Sequence, residues 1–295
     1  MIIDTAKAYR TGGQRTARLV TPRWASRVVV YGVLAIVTTL FMLPVLWLVI
    51  STLKAEGEYI AYPVTIFPKT PQFINYYRAL TIIPFFTYIG HSLFLASAYT
   101  VLVQLTSSLA AFGFARIPAR GKETLFRIVL ATMMVPGIVT VIPQFMVYSQ
   151  IGLTGTWWPW ILWGLASHPF HIFLYRQFFR SIPVELEEAA EVDGCSTFRI
   201  FWQIFIPNSW GAIAASSIFS FQWVWGDWFY PLIFLTDENT TLAVKLATGY
   251  LDPLGHRLVT PSMAAVVLYV LPLIVVFFLA QKRIVQGVVT TGLKG

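Results

Sequence analysis

Residues 28–50 read VVVYGVLAIVTTLFMLPVLWLVI, an unbroken run from Val28 to Ile50 without one charged side chain. A helix needs roughly 20 such residues to cross the hydrocarbon core of a bilayer. Five further stretches are apolar over a spanning length, with Arg127 and Asp227 their only Asp, Glu, Lys or Arg: about Ile89–Phe114, Leu125–Val147, Thr156–Tyr175, Ser209–Leu235 and Ser262–Ala280. Composition agrees with them. Of 295 residues, 57% are hydrophobic and 12% charged, against roughly 25% charged in an ordinary soluble domain. So much apolar surface excludes a disordered chain and argues against a soluble enzyme. The single cysteine, Cys195, excludes an internal disulfide framework. The expected fold is an all-α membrane protein of six transmembrane helices.

The basic residues assign the sides. Of the 21 Lys and Arg, all but Lys54, Lys69, Arg78, Lys245 and Arg257 lie before the first stretch, after the last, or at or near the second-to-third and fourth-to-fifth connections. Short loops rich in Lys and Arg stay in the cytoplasm, so both termini are expected there. The net charge of +8 is therefore a topology signal, and no nucleic-acid partner is expected. The layout becomes a basic cytoplasmic segment 1–27, a six-helix domain 28–280 and a cytoplasmic tail 281–295. The first span follows a long polar lead without a small-residue cleavage site, which predicts an uncleaved anchor.

Prolines 44, 136, 143, 159, 169, 231 and 272 fall inside or at the ends of these stretches. Each lacks a backbone donor and tends to kink a helix. Two readings stand: irregular packing, or broken helices around a pathway.

The fourth-to-fifth connection, about 176–207, is far longer than antiparallel neighbours require. It holds Glu185, Glu187, Glu188, Glu191 and Asp193, five of the 13 acids. Pro183 suits a first helical turn, and Gly194 suits a left-handed helix end. Ser196 or Thr197 can cap a second helix that carries Phe198, Ile200, Phe201, Ile204 and Phe205. The result is a helix–glycine–helix hairpin. Small Ala189 and Ala190 would admit a close partner, with acids meeting basic groups; an ordinary solvated amphipathic hairpin fits the same residues.

The spelling of this loop is more specific. Glu188-Ala189-Ala190, three residues, Gly194, nine residues, Ile204, one residue, then Ile206-Pro207 resembles the EAA signature of ABC importer membrane subunits. Ile206 stands where that family usually has Leu. Arg176-Gln177-Phe178-Phe179, Ile182-Pro183, Glu185-Leu186, Asn75-Tyr76 and Ala115-Arg116 resemble the carbohydrate branch, and the ending Gly292-Leu293-Lys294-Gly295 resembles the maltose-type second permease subunit. His91-Ser92 and Trp225-Gly226-Asp227 depart from the branch's usual Asn-Ser and Trp-Asn.

The resemblance implies that the hairpin is a coupling helix seated in an ATPase subunit, with Glu187, Glu188, Ala189, Ala190, Asp193 and Gly194 as docking positions. It implies three partners: an ABC ATPase dimer, a second permease expected to be a different chain, and an extracytoplasmic substrate-binding protein contacting the region about Thr236–Pro261. It places the chain as a multi-pass protein of a prokaryotic inner membrane. The chain has no G-x-x-x-x-G-K-[ST] loop, so no cofactor is expected on it. ATP and Mg would be bound by the ATPase, and this subunit would not be an enzyme.

Trp223, Trp225, Asp227, Trp228 and Tyr230 crowd the fifth stretch. Aromatic faces and an acid suit a sugar pathway; they also suit an aromatic belt at the outer boundary, with Asp227 wetted there. Trp157, Trp158, Trp160 and Trp163 read as interfacial anchors of the fourth stretch. His168 and His171 are three apart, on one face of an expected helix, but nothing nearby completes a metal ligand set. Cys195 reads as a small turn residue. The competing functions are an importer subunit for a non-sugar solute and a stand-alone secondary transporter. The latter would need intramembrane ionisable groups, and only Asp227 and His91 are candidates.

Overall fold

The computed structural model describes residues 23–292, with side chains for 27–278. It is helical, and the described residues contain no strand beyond an isolated antiparallel bridge between Leu251 and Arg257. In chain order the helices are α1 (Arg23–Thr52), α2 (Glu56–Ile60), α3 (Ile74–Thr81), α4 (Phe85–Ala115), α5 (Lys122–Thr132), α6 (Gly137–Gln150), α7 (Trp158–Leu165) and α8 (Pro169–Ser181). Then follow α9 (Glu185–Val192), α10 (Thr197–Ile200), a π-helical turn Phe201–Phe205, α11 (Ile206–Asn208), α12 (Trp210–Trp225), α13 (Phe229–Phe234), α14 (Leu242–Thr248) and α15 (Val259–Gly292).

The chain divides into two units, Met1–Trp47 and Leu48–Gly295. In the first, residues 27–47 form one apolar helix with every described side chain exposed. A helix apolar all round needs lipid or protein around it.

The second unit is built on α4. Its buried residues Tyr88, Ser92, Leu95, Ala96, Tyr99, Val103, Ser107 and Ala111 recur every three or four positions, so one face meets α7, α8 and α12. The contact is close because the residues are small. A Cβ on Gly164 of α7 would lie 2.9 Å from the Leu102 Cβ, and the Gly164 carbonyl accepts from Thr106 Oγ1 at 2.8 Å. Where no water enters, polar side chains join helices instead. Gln104 Oε1 accepts from Tyr175 on α8 and from Ser216 on α12, both at 2.6 Å, and Gln104 Nε2 donates to Ser220 at 2.9 Å.

Three helices are long and apolar enough to cross a membrane alone: residues 27–52 of α1, all of α4, and Val259–Phe278 of α15. Two bent pairs qualify if each counts as one span: α5 with α6, bent by 93°, and Thr197–Asn208 with α12, bent by 81°. The stretches expected as single helices at 125–147, 156–175 and 209–235 are thus interrupted. Proline accompanies the breaks, although Pro44, Pro143 and Pro272 lie inside continuous helices. A proline removes its own hydrogen bond and crowds the carbonyl four residues back. Accordingly α5 ends at Thr132, four before Pro136, and α7 ends at Leu165, four before Pro169. Ahead of Pro231 the chain breaks at 226–228, where Asp227 Oδ1 accepts from the Phe229 and Tyr230 amides at 2.9 and 3.2 Å. Helical backbone also overruns two expected boundaries: α1 begins at Arg23, and α15 continues past Ala280 to Gly292. Residues 1–22 and 293–295 of the expected terminal segments lie outside the described residues.

Candidate functional site

Helix α8 ends at Ser181, and Ile182 and Pro183 lead in extended form to α9. Pro183 stands just before the helix rather than in its first turn, since Val184 is the N-cap. Glu185, Glu187 and Glu188 fill the first turn, where the helix dipole favours negative charge. The helix closes in a paired-bond motif: Cys195 N donates to Ala190 O at 2.9 Å and Gly194 N to Glu191 O at 3.0 Å. This requires a left-handed residue, and Gly194 has φ +77°. Ser196, not Thr197, caps α10, its Oγ accepting from Arg199 N at 3.4 Å.

The hairpin is held from behind by aromatic packing. Ile200, Phe201 and Phe205 are buried with Phe112, Phe126, Tyr175 and Phe179. The two alanines separate: Ala190 packs into that cluster at 7% exposure, and Ala189 faces outward with Glu188. Ala190 is therefore not a surface position. Glu187 also turns inward, 3.5 Å from Arg116, with 17% of its side chain exposed. Burial pushes its carboxyl above the usual carboxylate range, against the pull of Arg116, and Glu191 and Glu188 add to the rise. The outward surface comprises Glu188, Ala189, Glu191, Val192, Asp193, Gly194 and Phe198. Val192 is not among the residues the sequence singles out, and Phe198, expected with the apolar residues of the second helix, is exposed. Their signal is apolar side chains lying off the face that carries Ala190 and Ile200.

Two basic residues taken as topology markers are built into the same end. Arg116 donates to Phe179 O at 2.7 Å and to Ile182 O, and its guanidinium lies 4.9 Å from the Phe205 ring centre. Arg176 is buried, pairs with Glu123 at 2.5 Å, donates to Phe114 O at 3.3 Å and covers the Phe126 ring at 4.0 Å.

The residues named in the fifth stretch do not form one surface. Trp225 is 2% exposed and lies between Phe221 and Tyr269, with ring centres at 5.4 and 4.9 Å and near-parallel planes. Both of its faces are occupied, so it cannot stack on a ligand in this arrangement. Trp223 is 46% exposed, its ring leaning on Tyr99 and Tyr230. Trp228 is exposed and half-buried Tyr230 packs against Trp163 and Phe234. Asp227 is neither inside a helix nor open to water: Oδ1 caps α13, and Oδ2 is buried without a hydrogen-bond partner among the described residues. Trp160, expected at the interface, is fully buried in this cluster. His168 is the N-cap of α8 in extended conformation, and its ring still meets that of His171 edge-on, centres 5.5 Å apart; His171 also meets Ser216 at 2.7 Å.

At the opposite end of α4, the segment after α13 is fastened to its first turns. Tyr88 OH donates to Asp237 O at 3.2 Å, Leu242 N donates to Ser92 Oγ at 2.9 Å, and His91 Nδ1 lies 3.1 Å from Thr240 O. The unusual His91-Ser92 pair therefore serves loop anchoring. Beyond α14, Leu254 and Gly255 form an exposed tip.

Residues 105–290 match the family described as binding-protein-dependent transport system inner membrane component. The chain is 33% identical over 264 residues to the lactose transport system permease protein LacG of Rhizobium radiobacter, covering 88% of this chain and 94% of that one. It is 32% identical over 282 residues to the osmoprotective compounds uptake permease protein GgtD of Synechocystis, covering 88% and 91%. Its fold matches the crystal structure of a bacterial ABC transporter involved in the import of the acidic polysaccharide alginate, with TM-score 0.75 and 22% identity over 89% of this chain and 98% of that chain. The hairpin, the apolar helices and these likenesses agree, and the chain belongs to the binding-protein-dependent transport system inner membrane component family.

Proposed function

We propose that this chain is the six-span, non-catalytic permease subunit of an ATP-driven importer, forming half of a pathway for a sugar or oligosaccharide. A separate ATPase dimer binds ATP and Mg, a second permease of different sequence completes the pathway, and a soluble binding protein delivers ligand to the 236–261 region. Both termini lie in the cytoplasm. The observation that carries the reading is the rigid hairpin: Gly194 closes α9 in a left-handed turn, aromatic packing holds its back, and Glu188, Ala189 and Asp193 face outward. Glu187 and Ala190 support this surface from behind. Small Ala189 lets a partner approach, and Glu188 offers it a carboxylate. Exposed Trp223 and Trp228, with Tyr230, are the aromatic faces free to meet a sugar ring.

The carbohydrate reading is supported by the lactose relative. A non-sugar solute is the alternative, supported by the osmoprotectant relative. The test is uptake by the purified complex in proteoliposomes, comparing labelled oligosaccharides with labelled compatible solutes. Vanadate-sensitive, ATP-dependent uptake of an oligosaccharide is expected. Uptake driven by an ion gradient without ATP would overturn the importer reading, and uptake of compatible solutes alone would overturn the sugar.

A further inference from the structure

Two arginines at the hairpin end, buried Arg176 and partly buried Arg116, repeat one arrangement. Arg116 follows the last turn of α4 and donates to Phe179 O and Ile182 O, carbonyls at the end of α8. Arg176, on α8, donates to Phe114 O, a carbonyl at the end of α4. Each helix end thus holds carbonyls at the other's end, where the regular helical bonds run out; Phe179 O also accepts from the Ile182 amide at 3.3 Å. Each arginine also reaches an acid in the first turn of the helix that follows the other's: Arg116 meets Glu187 of α9 at 3.5 Å, and Arg176 meets Glu123 of α5 at 2.5 Å. Two guanidiniums thereby join four elements at the points where two helices end and two begin. A planar guanidinium with several fixed donors suits this task, and a lysine point charge does so less well.

We infer that Arg116 and Arg176 form a reciprocal clamp that makes α9 move as one body with α4, α5 and α8, and that Arg116 is the positioning residue carrying motion of the hairpin into α4. This rests on the reading of the hairpin as the ATPase dock. Glu188 would make contact with the partner; Arg116, behind Glu187, touches no partner and acts through the helices it ties.

The test uses the full complex purified from membranes with its ATPase, in a Cys195→Ser background. Spin labels are placed on the exposed positions 120 and 185 through Arg120→Cys and Glu185→Cys, and their separation is measured without nucleotide and after trapping with ATP, Mg and vanadate. With Arg116 in place, the distance distribution stays the same in both states. Arg116→Met broadens or shifts it in the trapped complex, and Arg116→Lys, which keeps the cation but not the forked donor set, narrows it only in part. The ATP hydrolysis lost in Arg116→Met is expected to be about fivefold or more, the lower end of allosteric coupling factors, with ATPase recovery unchanged. A distance that changes on trapping in the unsubstituted clamp overturns the inference. So does a wild-type distribution in Arg116→Met, or a Lys variant that restores nothing. If Arg116→Met is not recovered from membranes, Glu187→Gln takes its place, with a broadened trapped distribution expected and an unchanged one overturning the clamp. A failure of the unsubstituted chain to retain any ATPase would instead defeat the docking reading.

Discussion

Gly194 isolates one physical term. No atom of this chain lies within 4 Å of where a Cβ would sit, and φ is +77°, so within the chain substitution there costs backbone conformation. A residue with a Cβ in this region costs roughly 1–2 kcal/mol, asparagine tolerates it best, and a β-branched residue worst. Gly194→Asn should therefore keep most ATP-coupled uptake, and Gly194→Val should lose most of it in assembled complexes; equal activity in both would refute the role given to the turn. Glu187 offers a second test. Burial raises its carboxyl above the ordinary range despite Arg116, so folding favours its protonated form. For an acid of raised pKa, stability increases as pH falls from neutral through that raised value. The melting temperature of wild type should rise relative to Glu187→Gln on acidification; a gap independent of pH would contradict the burial argument. The turn at Gly194 was legible because positive φ is a property of glycine itself. The partners of Arg116 were not, since Phe179, Ile182 and Glu187 are far along the chain and only folding brings them together.

At the scale of elements, proline marks what hydropathy does not. Apolar content identified the stretches around 125–147 and 156–175, yet a window average is blind to a missing amide. The helix ends at Thr132 and Leu165 fall four residues before Pro136 and Pro169, but Pro44, Pro143 and Pro272 lie inside continuous helices, so proline alone does not place the breaks. The aromatic crowd in the fifth stretch was legible as a cluster, but not its division into buried and open members, because α12 is apolar on nearly every side. That division makes a prediction. Trp225→Ala removes a ring packed on both faces, and a buried aromatic truncated to Ala costs roughly 3–5 kcal/mol. It should lower the melting temperature in detergent markedly, whereas Trp223→Ala should leave melting near wild type and slow uptake. If Trp225→Ala melts like wild type, the packed sandwich is not a source of stability; if Trp223→Ala transports normally, that ring is not on the pathway.

For the molecule as a whole, the membrane class was readable from composition, because long charge-free runs have few other solutions. The sides were assigned by the same charges that the folded chain uses for construction: Arg116 and Arg176 satisfy the inside bias and also fasten helix ends. The proposal that this end meets an ATPase is most directly tested through Glu188, exposed beside outward Ala189, against Glu187, turned toward Arg116. The measurement is recovery of the ATPase on the tagged permease at matched expression. A lysine at an enclosed acidic contact should weaken docking by about 2–5 kcal/mol, so Glu188→Lys should lose the ATPase while Asp252→Lys, in the segment expected on the other side of the membrane, keeps it. Equal recovery on wild type and Glu188→Lys would contradict the account.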